Sequence, residues 1–162
     1  MNKLKQLYEN IKKTEKTEKT LETLTLYDCI KFIPSITSGR VLRVNSGNKI
    51  TIGCKLPEYA NKYYKFEILI RGVCCPKVED NNLSTVVQVG KYVRDKVSNK
   101  LLNEIVIFEN VESMKNECYM ADVYLNIENI SQWLILNHYG VPYDERIKLC
   151  EMNWNEYINE QN

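Results

Sequence analysis

Hydrophobic positions repeat first at helical spacing, then in alternation, and then at helical spacing again. Leu4, Leu7, Tyr8 and Ile11 fall three or four apart, which predicts a short amphipathic helix. Lys13-Thr14-Glu15-Lys16-Thr17-Glu18-Lys19-Thr20 follows without an apolar side chain, so it can bury nothing and reads as a flexible connector. From Gly39 the period changes to two. Val41, Leu42 and Val44 form one strand, and Ile50, Ile52 and Cys54 alternate with Lys49, Thr51 and Gly53 in the next. Asn45-Ser46-Gly47-Asn48 supplies the turn between them, with Gly47 expected to take a positive φ. A third strand is predicted over Tyr64 to Val73, and Pro76 bars further pairing after it.

Val78 to Leu83 is polar and reads as a loop, with Ser84 placed to cap a helix whose core stripe is Val86, Val89, Val93 and Val97. Valine and Gly90 both weaken a helix, the glycine by about 1 kcal/mol, so tertiary burial has to hold it. Strands at Glu104 to Phe108 and Tyr119 to Leu125 form a hairpin through Val111 to Glu117. A short helix over Ile130 to Asn137 follows. Ile147, Cys150, Trp154 and Tyr157 then predict a terminal amphipathic helix docked on the body. The expected fold is α+β, mainly β: a five-stranded Greek-key barrel of the oligonucleotide/oligosaccharide-binding type, with a helix between strands three and four and C-terminal helices. This divides the chain into an N-terminal extension (1–26), the barrel domain (27–143) and the C-terminal helix (144–162).

The 162 residues suit one domain, and 44% hydrophobic residues suffice for its core. A formal net charge of +1 gives no general pull toward nucleic acid or anionic membrane unless the positive groups are segregated on one face. No apolar run approaches the roughly 20 residues that span a bilayer, so no membrane partner is expected. The six cysteines show no Cys-x-x-Cys spacing, and no apolar leader precedes them, which points to reduced thiols inside a cell.

Several ordered motifs carry a family resemblance. Val44-Asn45-Ser46-Gly47-Asn48-Lys49-Ile50 lies where a Tyr-Asp-Gly-Asp-Thr turn follows a first strand. Leu69-Ile70-Arg71-Gly72-Val73-Cys74-Cys75-Pro76-Lys77 matches an Arg-Leu-Leu-Gly-Ile-Asp-Thr-Pro-Glu run. Lys115-Asn116-Glu117-Cys118-Tyr119-Met120-Ala121-Asp122-Val123-Tyr124 matches Lys-Tyr-Gly-Arg-x-x-Ala-Asp-Val-Tyr. With Leu56-Pro57-Glu58-Tyr59, Tyr63-Tyr64-Lys65-Phe66, Ile130-Ser131-Gln132-Trp133-Leu134, Val141-Pro142-Tyr143-Asp144 and Asn153-Trp154-Asn155-Glu156-Tyr157, the chain resembles the staphylococcal nuclease-like family, most of all its versions from large DNA viruses. The resemblance covers roughly Tyr27 to Tyr157.

The resemblance implies a site in which two aspartates hold calcium, a glutamate assists the attacking water and two arginines stabilise the phosphate. The aspartates fall here at Asn48 and Cys74, the glutamate at Lys77 and the arginines at Leu69 and Cys118. A neutral carbonyl, a thiol and an ammonium do not make a calcium site, and no guanidinium clamp remains. Removing one well-placed electrostatic stabiliser typically costs about a hundred- to a thousand-fold in rate. The expectation is therefore a catalytically inactive domain with no metal cofactor. Its expected role is that of a structural or protein-interaction module in a virus particle or host cytoplasm, with other proteins as partners.

Two alternatives stay open: nucleic-acid binding without cleavage, and a residual metal-dependent nuclease. Arg40, Arg43, Lys49, Lys55, Lys62, Lys65 and Arg71 form the densest positive cluster and are the candidate phosphate contacts. Tyr59, Tyr63 and Tyr64 are candidates for stacking bases, with packing as the competing role. On the family alignment Cys74 and Cys118 line one pocket beside Cys75, where buried thiols, a disulfide or a soft-metal site are conceivable. His138, the single histidine, closes the short helix and suggests capping or packing. Asp144, Glu145 and Arg146 read as a solvated surface.

Overall fold

The computed structural model describes residues 21–30, 32–59, 61–78, 85–114, 117–143 and 154. The N-terminal helix, the Lys-Thr-Glu connector, Ser84 and most of the terminal helix lie outside them. The chain forms two compact units, 1–32 and 33–162. The described part of the first holds two 3-10 turns, Leu21–Thr23 and Leu26–Asp28, with Leu26, Tyr27 and Ile30 exposed.

The described part of the second unit is a closed five-stranded barrel with two complete helices. Its long strands are β1 (Ser38–Ser46), β2 (Lys49–Lys55), β3 (Tyr63–Ile70), β5 (Ile105–Ser113) and β6 (Cys118–Leu125). Short strands β4 (Val73–Cys74), β7 (Glu128–Asn129) and β8 (Val141–Pro142) accompany them, with helices α1 (Thr85–Leu101) and α2 (Ile130–Leu136). Antiparallel pairing joins β3 to β2, β2 to β1, β1 to β5 and β5 to β6, and a parallel pairing of β3 with β6 closes the ring. This connectivity, with α1 between the third and fourth long strands, is consistent with an oligonucleotide/oligosaccharide-binding-type barrel.

Alternation explains the interior. Val41, Val44, Ile50, Ile52, Ile68, Ile70, Val106, Phe108, Ala121 and Val123 point inward and are buried. Helix α1 adds Val93, Val97 and Leu101, four residues apart on one face, which offsets the poor helix propensity of valine. Helix α2 adds Ile130 and Leu134 and starts at Asn129, whose side chain accepts from Gln132 N at 3.1 Å. It ends with His138 at φ +58°, where His138 N donates to Ile135 O and Tyr139 N to Leu134 O. That is a Schellman-type close. Among the described residues no helix is long and apolar enough to cross a membrane.

Three local expectations need correction. Gly47 does not take a positive φ; among the described glycines only Gly72 does, at +78°. Register shifts in β1 at Val41/Arg43 and Val44/Ser46 supply the extra twist that a mirror-image turn would otherwise give. Gly47 is needed for space, because a Cβ there would lie 2.7 Å from both Cys75 Cβ and Val93 Cγ1. The third strand stops at Ile70, three residues early, because the chain turns at Arg71-Gly72 before β4 pairs with β8. The fourth long strand runs on to Ser113, past a bulge between Glu109 and Glu112 at which Asn110 takes φ +51°.

Candidate functional site

The β1–β2 hairpin tip and the β3–β4 turn meet at one end of the barrel. Ile70 N donates to Asn48 O at 2.8 Å, and Asn48 Nδ2 donates to Val73 O at 3.1 Å. The Asn48 side-chain oxygen in turn accepts from Ser46 Oγ at 3.2 Å. Both ends of this carboxamide therefore hold the backbone crossing. Cys74 follows in β4 and is buried with Val141 and Trp154, while Val89 packs against the same cluster. Burial raises its thiol pKa. Cys75 faces the other way, its sulfur close to Gly47 and Gly140, and burial, then the neighbouring Cys74, pushes it far above the usual thiol range. Lys77 is exposed; its carbonyl lies against Gly90 so closely that a Cβ there would collide with it.

Leu69 and Cys118 lie on the adjoining outer face. Leu69 is registered with Lys49 on β2 and Met120 on β6, and Cys118 with Glu67 on β3. Lys49 Nζ reaches Glu67 Oε2 at 2.5 Å, a bond that raises the lysine pKa despite partial burial. Cys118 Sγ donates to Tyr119 O at 3.7 Å, and burial raises its pKa against the opposing pull of Lys49. Asn48 is committed to Val73 and Ser46, Cys74 belongs to an apolar cluster, and Lys77 is cationic. Among the described residues no group of three or more His, Cys, Asp or Glu side chains is placed to hold a metal ion. Cys29, Cys54, Cys74, Cys75 and Cys118 are free thiols.

The seven candidate basic residues separate into two groups. Arg71 is clasped between strands: its Nη2 donates to Asn110 O at 2.5 Å and lies 3.3 Å from Glu112, and its Nε lies 3.4 Å from Asp122. The Nε contact lacks hydrogen-bond geometry, so the attraction to Asp122 is purely electrostatic. Asn110 Nδ2 donates to the same aspartate at 2.6 Å. Lys49 and Arg71 are thus neutralised in place. Arg40, Arg43, Lys55, Lys62 and Lys65 are all exposed. Register aligns Arg40 of β1, Gly53 of β2 and Lys65 of β3 in one row on the outer face. Lys55 stands beside this row with its Nζ 5.0 Å from the Tyr63 ring centroid.

The three tyrosines also separate. Tyr59, Tyr64, Phe66 and Tyr119 form a chain of ring contacts with centroids 5.6 to 6.5 Å apart, three of them packed against the core. Tyr63 lies outside this chain of rings and is the most exposed of the three, at 77%, with Tyr59 at 51%. Sequence reasoning missed Asn45, whose Oδ1 accepts from the buried Thr51 hydroxyl at 2.9 Å and whose Nδ2 donates to Glu67 at 3.5 Å. The sequence carries no signal for it, because the burial of Thr51 on the outer side of its strand exists only in the fold. No protein-family model and no curated protein matches the chain.

Proposed function

We propose that this chain is a non-catalytic, staphylococcal nuclease-like barrel that works as an interaction module, a component of the particle of a large DNA virus whose partners are other proteins. The observation that carries this reading is the state of Asn48: its amide and its oxygen both bind the chain, at a position where the family resemblance places a metal-binding carboxylate. Cys74, packed with Val141 and Trp154, supports it in the same way, since its side chain contributes to stability and offers nothing to a hard cation. Keeping the fold while the ionic site is absent fits a protein selected for its surface.

The test is a cleavage assay. Purified protein is incubated with single-stranded DNA and calcium, with and without chelator. The expected result is full-length DNA in both samples. Shortened DNA that disappears on chelation would overturn the reading.

A further inference from the structure

We infer that the open edge of β3, Tyr63 to Phe66, takes an extended segment of a partner protein as an added strand, one in which acidic and apolar residues alternate. This rests on the interaction-module reading and names the kind of partner. On one side β2 pairs with β3 from Tyr63 to Leu69, but on the other β6 pairs only with Glu67 to Ile70. The parallel ladder starts at Cys118, and Glu117 before it takes φ +57°, where the chain turns off into the β5–β6 hairpin. Among the described residues no strand lies along the second side of Tyr63 to Phe66. Alternate N–H and C=O groups over about 13 Å therefore face a place that another chain can fill.

The two faces of this edge differ. Tyr64 and Phe66 pack against the core, and ring contacts with Tyr59 and Tyr119 extend them into an aromatic row. Tyr63 and Lys65 are exposed on the opposite face, with Lys55 registered beside Tyr63 and Lys62 one residue before the strand. An added strand alternates its side chains in the same way, so one set meets rings and the other meets ammonium groups. Charge selects the occupant. Lys55, Lys62 and Lys65 outnumber Glu117, the acid at the end of the edge, and Glu67 is already bonded to Lys49. A second copy paired edge to edge would bring Lys62 and Lys65 against the same lysines, the repulsion by which edge strands avoid their own kind. An acidic strand meets the opposite sign, while its main chain supplies the bonds that the edge lacks.

Fluorescence anisotropy and amide hydrogen exchange on the full chain, with a labelled peptide of about eight residues in which Glu and Val alternate, test this. The peptide should bind, and alternate amides within Tyr63 to Phe66 should then exchange more slowly. Full N-methylation keeps the charge and side chains of the peptide and removes its donors, so binding should be lost. Lys65→Glu should weaken the Glu-Val peptide about five-fold, the scale of one cross-strand charge pair, and strengthen a Lys-Val peptide by as much. Oligothymidylate has no peptide backbone to extend a sheet and should leave the same amides unprotected. No peptide binding, binding without that protection, undiminished binding of the N-methylated peptide, or protection by oligothymidylate would overturn the strand addition. Single-stranded DNA and calcium added to the same samples separate the two claims. Calcium-dependent shortening of the DNA beside edge protection by the peptide overturns the non-catalytic reading alone, whereas intact DNA with no edge protection overturns the strand addition alone.

Discussion

The Asn48 carboxamide donates to the Val73 carbonyl and accepts from the Ser46 hydroxyl, so putting an acid back at this position has a structural cost. Asn48→Asp replaces the donor with a carboxylate oxygen facing a carbonyl oxygen. It should destabilise the protein by about 1–3 kcal/mol, the cost of leaving a partly buried polar group unsatisfied. Calcium should not restore the lost stability. Thermal unfolding with and without the ion checks this; a calcium-dependent rise in Tm of the variant would show that the site still accepts the metal. Gly90 poses a similar conflict with an opposite naive sign. Helix propensity alone says that Gly90→Ala stabilises by about 1 kcal/mol. The added Cβ would collide with the Lys77 carbonyl oxygen and lie 2.8 Å from its carbon, so destabilisation of about 1–3 kcal/mol is expected instead. Urea unfolding gives the sign directly, and a stabilised variant would mean that the loop yields freely.

At the scale of elements, the Arg71 clasp ties the turn after β3 to the β5–β6 hairpin through Asn110, Glu112 and Asp122. Arg71→Met keeps the stem and removes the charge, leaving two carboxylates close together, one of them mostly buried. A loss of about 1–2 kcal/mol is expected, discounted for the exposure of Glu112. An unchanged urea midpoint would show that the clasp holds nothing. The same cluster shows what the sequence could and could not tell. Inward positions such as Ile50, Ile52, Val93 and Val97 were legible because burial imposes a period on them. The break at Arg71-Gly72 left only a faint trace, the change of phase between Ile70 and Val73 three residues on, because the turn needs only one glycine with positive φ. The extension of β5 was hidden because Glu109, Asn110 and Glu112 are polar and the bulge resets the alternation. The candidate cations were visible by type, but their partners were not. Glu67, Glu112 and Asp122 reach Lys49 and Arg71 only through strand register, which no local pattern encodes.

Across the whole molecule, the thiols set a pH limit. Burial raises the pKa of Cys54, Cys74, Cys75 and Cys118 in the folded protein, whereas an unfolded thiol ionises near about 8.5. Between those values the unfolded chain holds fewer protons than the folded one, so stability must fall as pH rises. The loss begins near pH 8.5. Cys75 leads it, because its sulfur lies close to Gly47 and Gly140 and its folded pKa is raised furthest. It alone should contribute a slope approaching about 1.4 kcal/mol per pH unit once its unfolded form is ionised. Lys49 acts in the same direction at higher pH: its raised pKa contributes stability that is present below about 10.4 and lost as pH passes the folded value. That contribution is small because the pair with Glu67 is more than a third exposed. Urea unfolding at pH 7.5, 8.5 and 9.5 under reducing conditions should show a plateau and then a decline, with the m-value unchanged. A flat profile to pH 9.5 would mean that the thiols are solvated, and the packing assigned to Gly47 and Gly140 around Cys75 would fail with it. If the decline appears, Cys75→Ala should make it shallower even where the smaller side chain lowers stability at every pH, because the slope follows the titrating group and the offset follows the cavity.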